Sequence, residues 1–258
     1  MELGLERKNV LVTGGSRGIG LACARVFLAE GARVAIASRS PRHLEQAAQS
    51  LGRVMTAAAD LAIAAAAAAM VERVEAELGP IDILVNSAGA ARRAAAEELT
   101  PEAWRAAMDA KYFTYINVID PVVKRMAARG RGVIVNVIGQ GGKVPSPAHL
   151  AGGAANAALM LASAGLANAY ALHGVRVVGL NPGPTNTERV SEGLRAEARR
   201  LGITEQEALQ RTVARLPLGR LASPEEIADV VAFAASERGR YLTGANISLD
   251  GAASPSVV

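Results

Sequence analysis

The chain is poor in the residues that stabilise small secreted proteins or bind nucleic acids. Cys23 is the single cysteine among 258 residues, so no disulfide can form within one chain, and a small core residue is its expected role. Aromatic residues make up 3%, and the net charge of +4 is spread without a basic block, which argues against a nucleic-acid partner. No metal site is expected.

The N-terminus lacks the features of an export signal. Residues 1–6 contain neither a basic region nor an apolar stretch, and we find no apolar stretch of membrane-spanning length in the chain. We therefore expect a cytoplasmic protein without a membrane partner. Half of the residues are apolar, which suffices for one large core, so a single domain over residues 1–258 is predicted.

The most informative stretch is the glycine-rich sequence Thr13–Gly20. It follows the apolar run Val10–Val12 and precedes the helical stretch Leu21–Glu30. A strand, a glycine turn and a helix together indicate dinucleotide binding, because glycines let the backbone approach a pyrophosphate that the helix N-terminus attracts. The alternative is an ordinary tight turn between a strand and a helix.

Short apolar strands alternate with helical segments along the rest of the chain. This alternation predicts an α/β fold, a doubly wound Rossmann-type domain with a parallel sheet of about seven strands and helices on both faces. Long helical regions are expected over Pro101–Ala128, with a kink at Pro121, and over Ala151–His173. We interpret the polar segment 185–218 as a lid-like insertion. Its arginines, Arg189 among them, either recognise an acidic substrate or, as the simpler interpretation, face water.

The residues after the second strand indicate which cofactor the site prefers. A carboxylate there would bind a ribose 2′-hydroxyl and repel a 2′-phosphate, whereas this chain has Ser38 and Arg39. Arg17 lies in the glycine turn, and two guanidinium groups suit a phosphate monoester. We therefore expect NADP(H) rather than NAD(H), although both arginines could also be ordinary surface charges.

Several motifs together resemble the short-chain dehydrogenase/reductase family over nearly the whole chain. Thr13–Gly20 is similar to its TGxxxGxG motif, Asn86–Gly89 to its NNAG motif, and Asn181–Gly183 with Thr187 to its cofactor loop. The residues and the resemblance together imply cofactor binding by Gly14, Ser16, Arg17, Gly18, Ile19, Gly20, Ser38, Arg39, Ser40, Asp60, Leu61, Asn86, Ala88, Gly89, Pro182, Gly183, Thr185 and Thr187. It also implies an oxidoreductase acting on a carbonyl or alcohol of a small molecule.

The family's Asn-Ser-Tyr-Lys catalytic tetrad is not matched. Gly139 stands at the serine position, Gly152 at the tyrosine position, Asn156 at the lysine position and Lys111 at the asparagine position. Reduction of a ketone needs a proton donor and groups that stabilise the developing alkoxide, and glycine supplies neither. The standard mechanism therefore does not carry over to this chain.

Lys111 and His149 are the candidates that could replace the missing proton donor. Lysine near a cationic nicotinamide can have a lowered pKa, and histidine titrates near neutrality. The alternatives are a surface lysine and a loop histidine without a chemical task. Two functions remain open: an NADP(H)-dependent oxidoreductase with a displaced catalytic set, or a catalytically inactive NADPH-binding sensor or partner subunit.

The two long helical regions are also the expected contact surface between copies of the chain. The family resemblance implies a homodimer or homotetramer that packs through residues 101–128 and 151–173. Gly139, Gly152 and Gly153 remove side chains from one wall of the predicted pocket, so a bulky substrate is expected to fit.

Overall fold

The computed structural model describes residues 2–89 and 91–254, except for the side chains of Ala196 and Arg200. Seven strands form one sheet: β1 Asn9–Thr13, β2 Arg33–Ser38, β3 Met55–Ala58, β4 Ile83–Asn86, β5 Gly132–Val137, β6 Val175–Pro182 and β7 Asn246–Leu249. Their order is β3-β2-β1-β4-β5-β6-β7, and all neighbouring strands are parallel. The predicted fold class is confirmed.

The strand order reverses beside β1, which pairs with β2 on one side and with β4 on the other. Leu11 of β1 is in register with Ala35 of β2 and with Leu84 of β4. In a parallel sheet all carboxyl ends lie at one edge, and ligands bind there at the point where the strand order reverses. This edge is therefore where the predicted site residues should meet.

Nine α-helices connect and cover the strands within the described residues. They are α1 Gly18–Ala29, α2 Pro41–Leu51, α3 Ala64–Leu78, α4 Pro101–Ala107, α5 Thr114–Ala128, α6 Leu150–Tyr170, α7 Glu188–Leu201, α8 Glu205–Val213 and α9 Pro224–Ala235. Helices α3, α5 and α6 bury one face of the sheet, and α1, α2 and α9 bury the other. Cys23 of α1 is completely buried, and this burial raises the pKa of its thiol to about 12, as a core role requires.

The predicted helix over 101–128 is helical throughout but changes its geometry. A π-helical turn, Met108–Phe113, separates α4 from α5, whereas Pro121 lies inside the α-helical part. The departure from α geometry therefore lies N-terminal to Pro121, where we predicted a kink. π-Helical turns often occur at functional sites, and this one carries Lys111.

The polar segment 185–218, which we interpreted as a lid-like insertion, contains α7 and α8; its role as a lid stays a prediction. The helical stretch Leu150–His173 has 24 residues and a mean hydropathy of 1.4, which by length and composition alone would also allow a membrane crossing. Our statement that no stretch reaches that length is wrong. The hydropathy of α6 reflects its packing in the core, where Leu159 and Ala167 are buried.

Candidate active site

The glycine turn between β1 and α1 is packed tightly against the end of β4. Gly14 has a φ of +68°, and a Cβ there would lie 2.7 Å from the carbonyl oxygen of Ser87 and 2.8 Å from Cα of Ala88. Only glycine fits such a turn. Gly18, Ile19 and Gly20 begin α1, so the unpaired N–H groups of its first turn face the carboxyl edge of the sheet.

A chain of buried hydrogen bonds fixes the floor of the site. The Thr13 hydroxyl donates to Oδ1 of Asn86 (3.1 Å), and Nδ2 of Asn86 donates to Oδ1 of Asn136 (3.0 Å). Nδ2 of Asn136 then donates to the Ser163 hydroxyl (2.9 Å). These bonds join β1, β4, β5 and α6. The Asn86 side chain is fully buried among these hydrogen bonds. It can therefore support cofactor binding only indirectly, by fixing the conformation of the sheet edge.

The residues predicted to hold the adenosine half follow the ends of β2 and β3. Ser38 accepts a hydrogen bond from the backbone N–H of Ser40 (3.2 Å), and Ser40 caps α2. Arg39 between them is exposed, and no ion pair of its guanidinium occurs among the described side chains. Asp60 accepts from the N–H of Ala62 (3.1 Å), and Leu61 is buried in the core.

The loop after β6 closes the opposite side of the glycine turn. The Thr185 hydroxyl donates to the Gly183 carbonyl (3.1 Å), and Thr187, directly before α7, has its methyl group beside Gly18. Pro182, Gly183, Thr185 and Thr187 therefore reach the same edge as Ser16, Ala88 and Gly89. The structure brings these predicted residues together, and their contact with a cofactor remains a prediction.

Arg17 makes an ion pair that the sequence did not predict. Its guanidinium lies 2.8 Å from the carboxylate of Glu188, the first residue of α7, and both side chains are more than half exposed. The pair ties the glycine turn to the segment predicted as a lid. Both Arg17 and Arg39 were predicted to bind a 2′-phosphate, but Arg17 is engaged with α7, and no such pair of Arg39 occurs among the described side chains.

Lys111 is buried in the π-helical turn and is not a surface lysine. Its Nζ donates to the Tyr115 hydroxyl (2.8 Å) and to the Val137 carbonyl (3.2 Å), and the Tyr115 hydroxyl also donates to that carbonyl. Burial, followed by the positive charge of Arg189, lowers the pKa of Lys111 to about 7. Lys111 therefore titrates near neutrality directly behind the end of β5.

His149 lies at the first turn of α6 and fills the space left by Gly152. A Cβ on residue 152 would lie 2.6 Å from Nε2 of His149 and 2.8 Å from Nδ1, and even closer to Cε1. The imidazole thus occupies the volume in which a side chain at position 152 would begin. Its Nδ1 is buried without a hydrogen-bond partner in the part of the chain that the structure describes.

The electrostatic surroundings of His149 are positive. Partial burial lowers the pKa of its imidazole, and the charges of Arg93, Arg189 and Lys111 lower it further. The imidazole is thereby a stronger acid when protonated and is mainly neutral at neutral pH. Such a group can give a proton to an alkoxide or take one from an alcohol.

Asn156 and Gly139 form the neighbouring wall. Gly139 has a φ of +123°, and a Cβ there would lie 3.4 Å from Nδ2 of Asn156. The Asn156 side chain is buried and offers an N–H donor beside the position where the related family has a serine. A Cβ on Gly141 would lie 3.1 Å from Cδ2 of His149 and 3.5 Å from Nδ2 of Asn156, so the imidazole and the amide lie near each other in this wall.

Sequence reasoning missed three features of the site. Tyr115 is the hydrogen-bond partner of Lys111, Asn136 is the centre of the buried chain, and Arg189 donates to the Ala91 carbonyl (3.3 Å). The spacing of Lys111 and Tyr115, four residues apart on a helix, could have indicated that pair. The contact of Arg189 had no local signal, because its partner is 98 residues away.

Comparison with known proteins finds a matching family model, similar proteins and similar solved structures. The family model for short chain dehydrogenase matches residues 8–198. D-threitol dehydrogenase of Mycolicibacterium smegmatis is 35% identical over an alignment of 254 residues that covers 96% of this chain and 93% of that protein.

Two solved structures are also similar over their whole length. L-sorbose reductase from Gluconobacter frateurii, complexed with NADPH and L-sorbose, has a TM-score of 0.94 and 31% identity, with 100% of each chain covered. An NADPH-bound short chain oxidoreductase from Pseudomonas aeruginosa PAO1, described as containing an atypical catalytic center, has a TM-score of 0.88 and 32% identity, with 96% of this chain and 97% of that chain covered.

Proposed function

The chain belongs to the short-chain dehydrogenase family, and we propose that it interconverts a carbonyl and an alcohol with NADP(H) and a catalytic set of its own. The oxidoreductase function is the one expected from the resemblance, and the similar enzymes act on alcohols or carbonyls. The observation that carries the proposal is the imidazole of His149 in the volume that Gly152 leaves open.

His149 is proposed as the group that exchanges a proton with the substrate oxygen. When bound, NADP(H) supplies or accepts the hydride at the substrate carbon. In the reducing direction the protonated imidazole gives its proton to the oxygen and becomes neutral; in the oxidising direction the neutral imidazole takes the hydroxyl proton. The amide of Asn156 would donate a hydrogen bond to the same oxygen, in the role of the missing serine.

Lys111 is proposed as a positioning residue rather than as the proton donor. Its ammonium group is committed to Tyr115 and to the Val137 carbonyl, so it is held behind the site. From there its charge lowers the pKa of His149 and disfavours the protonated imidazole. The protonation state of Lys111 therefore changes the pKa of His149.

We infer a preference for NADP(H) from the end of β2. Ser38 and Arg39 stand where a carboxylate would exclude a 2′-phosphate, and the exposed Arg39 can reach such a group. The similar enzymes solved with NADPH support this preference. Titration of the protein with NADPH and with NADH, followed by nucleotide fluorescence, should give a lower Kd for NADPH.

The substitution His149→Asn tests the proposed proton transfer. We expect kcat/KM for carbonyl reduction to fall by about 10²- to 10⁴-fold, because the proton donor is lost, while the Kd for NADPH stays the same. The wild-type reduction rate should fall as pH rises through the lowered pKa of His149, and the oxidation rate should rise; the variant should lose both dependences. The assay is NADPH absorbance with a panel of ketones and aldehydes.

His173→Asn is the matched control, since His173 lies exposed just beyond the other end of α6. It should behave as the wild type. A His149→Asn variant with unchanged rate and pH profile would remove His149 from the mechanism. Tight NADPH binding without turnover of any carbonyl would instead favour the inactive NADPH-binding protein.

A homo-oligomer is proposed as the working form. Exposed apolar side chains on the two long helical regions, Trp104, Phe113 and Leu161, support contact through these surfaces.

A further inference from the structure

Arg189 and the loop that carries Arg93 meet beside the start of α6, next to His149. Arg189 projects from α7, and its guanidinium donates to the carbonyl oxygen of Ala91 (3.3 Å) in the loop after β4. Ala91 packs with Ala107 of α4 and with Ala151, two residues after His149. The loop that carries Arg93, the start of α6 and the start of α7 thus meet at one place, the mouth of the proposed active site.

The charges at this mouth are not balanced by carboxylates. Neither Arg93 nor Arg189 forms an ion pair with a described side chain, and both residues keep access to solvent. Glu188, beside Arg189, is bound to Arg17 instead. Glu192 is the carboxylate whose charge acts on Arg189, whereas Arg93, and Lys111 when protonated, add positive charge to the same region.

Such a collection of like charges is unfavourable, and an anion bound there would relieve the repulsion. The two guanidinium groups repel each other and the cationic form of His149, and Arg189 also repels that of Lys111. Other arginines of the chain are paired with acidic side chains, such as Arg17 with Glu188 and Arg220 with Glu226. Guanidinium groups with free donors suit carboxylates, which they bind through two parallel hydrogen bonds.

We propose that the substrate is a keto acid or hydroxy acid whose carboxylate binds Arg93 and Arg189 while its carbonyl or hydroxyl group faces His149. This inference rests on the proposed function and adds the substrate class to it. The negative charge would also counter the repulsion between the arginines and His149, so binding of the substrate would favour the protonated imidazole that reduction needs.

The test compares keto acids with their methyl esters in pairs that differ only in charge. Pyruvate, acetoacetate and levulinate place the carboxylate at increasing distances from the ketone, and each has a neutral ester. We expect kcat/KM for at least one acid to exceed that for its ester by about tenfold or more, the effect of a charged hydrogen bond. Arg189→Met and Arg93→Met should each lower this ratio by about tenfold.

Arg199→Met is the control, because Arg199 is an exposed residue on the same helix, α7. It should leave the ratio of acid to ester unchanged. Equal kcat/KM for acids and esters, or an unchanged ratio in both arginine variants, would overturn the inference while leaving the oxidoreductase function intact.

A binding experiment separates the two proposals. Calorimetric titration of the protein saturated with NADP⁺ should show binding of the acid but weaker binding of the ester, and the preference should disappear in Arg189→Met. Preferential binding of the acid without turnover would support the anion site and contradict the proposed reaction. Absence of any preference for the three acids would contradict the anion site.

Discussion

At the scale of one residue, burial of Lys111 lowers both its pKa and the stability of the folded protein. Its pKa falls from 10.5 to about 7 on folding because the ammonium group is buried without a carboxylate. The unfolded chain therefore binds more protons than the folded one between these two values. The free energy of unfolding should rise with pH from about 7 to about 10.5, and it should be lowest below that range.

Replacement of Lys111 by methionine should stabilise the protein at neutral pH. The apolar side chain has a similar length and removes the cost of the buried charge, which is on the order of a few kcal/mol. We expect a higher midpoint of urea unfolding at pH 7 than in the wild type, with a weaker pH dependence. Lys124→Met, which removes an exposed lysine paired with Asp120, should change little. A destabilised Lys111→Met would show that its hydrogen bonds outweigh its desolvation.

The residues of the site also show what a sequence can predict. Gly14 was predictable because the turn between β1 and α1 is local and tolerates only a glycine there. The replacement of the family's tyrosine by Gly152 was predictable by position. That the ring of His149 fills the same volume depends on side-chain packing at the start of α6, which no periodicity or spacing encodes.

At the scale of elements, the ion pair of Arg17 and Glu188 joins α7 to the glycine turn. If Arg17 is needed for the 2′-phosphate, Glu188 competes with the cofactor for it. Glu188→Gln should then lower the Kd for NADPH by about two- to fivefold, since exposed pairs contribute less than about 1 kcal/mol. The Kd for NADH should not change.

Glu102→Gln is the control for this change, because Glu102 forms a comparably exposed pair with Arg105 on α4. Fluorescence titration with both nucleotides provides the measurement. Weaker NADPH binding in Glu188→Gln would indicate that the pair instead holds α7 over the bound cofactor.

The helices and strands were predicted better than the contacts between them. Strand runs are local signals, and so are capping side chains such as those of Thr100 and Ser223, which lie directly before α4 and α9. The pair of Arg17 and Glu188 spans 171 residues, and the π-helical turn at Lys111 has no signature in a single sequence. Both depend on the tertiary structure.

At the scale of the whole molecule, the exposed apolar residues of α6 predict an assembly of several copies. Leu161 on α6 is 78% exposed, whereas the neighbouring residues Leu159 and Met160 are buried in the core. The mass measured by light scattering should be two or four times 26.5 kDa. Leu161→Asp should shift the protein toward the monomer, whereas Leu201→Asp at the end of α7 should not. A monomeric wild type would contradict the prediction.

The overlap of His149 with position 152 makes the two residues depend on each other. A tyrosine introduced at Gly152 would collide with the imidazole in its present position. The ring of His149 would have to rotate away or be replaced before a hydroxyl at residue 152 could act. Restoring the tyrosine by one substitution would therefore also remove the imidazole from its present place in the pocket.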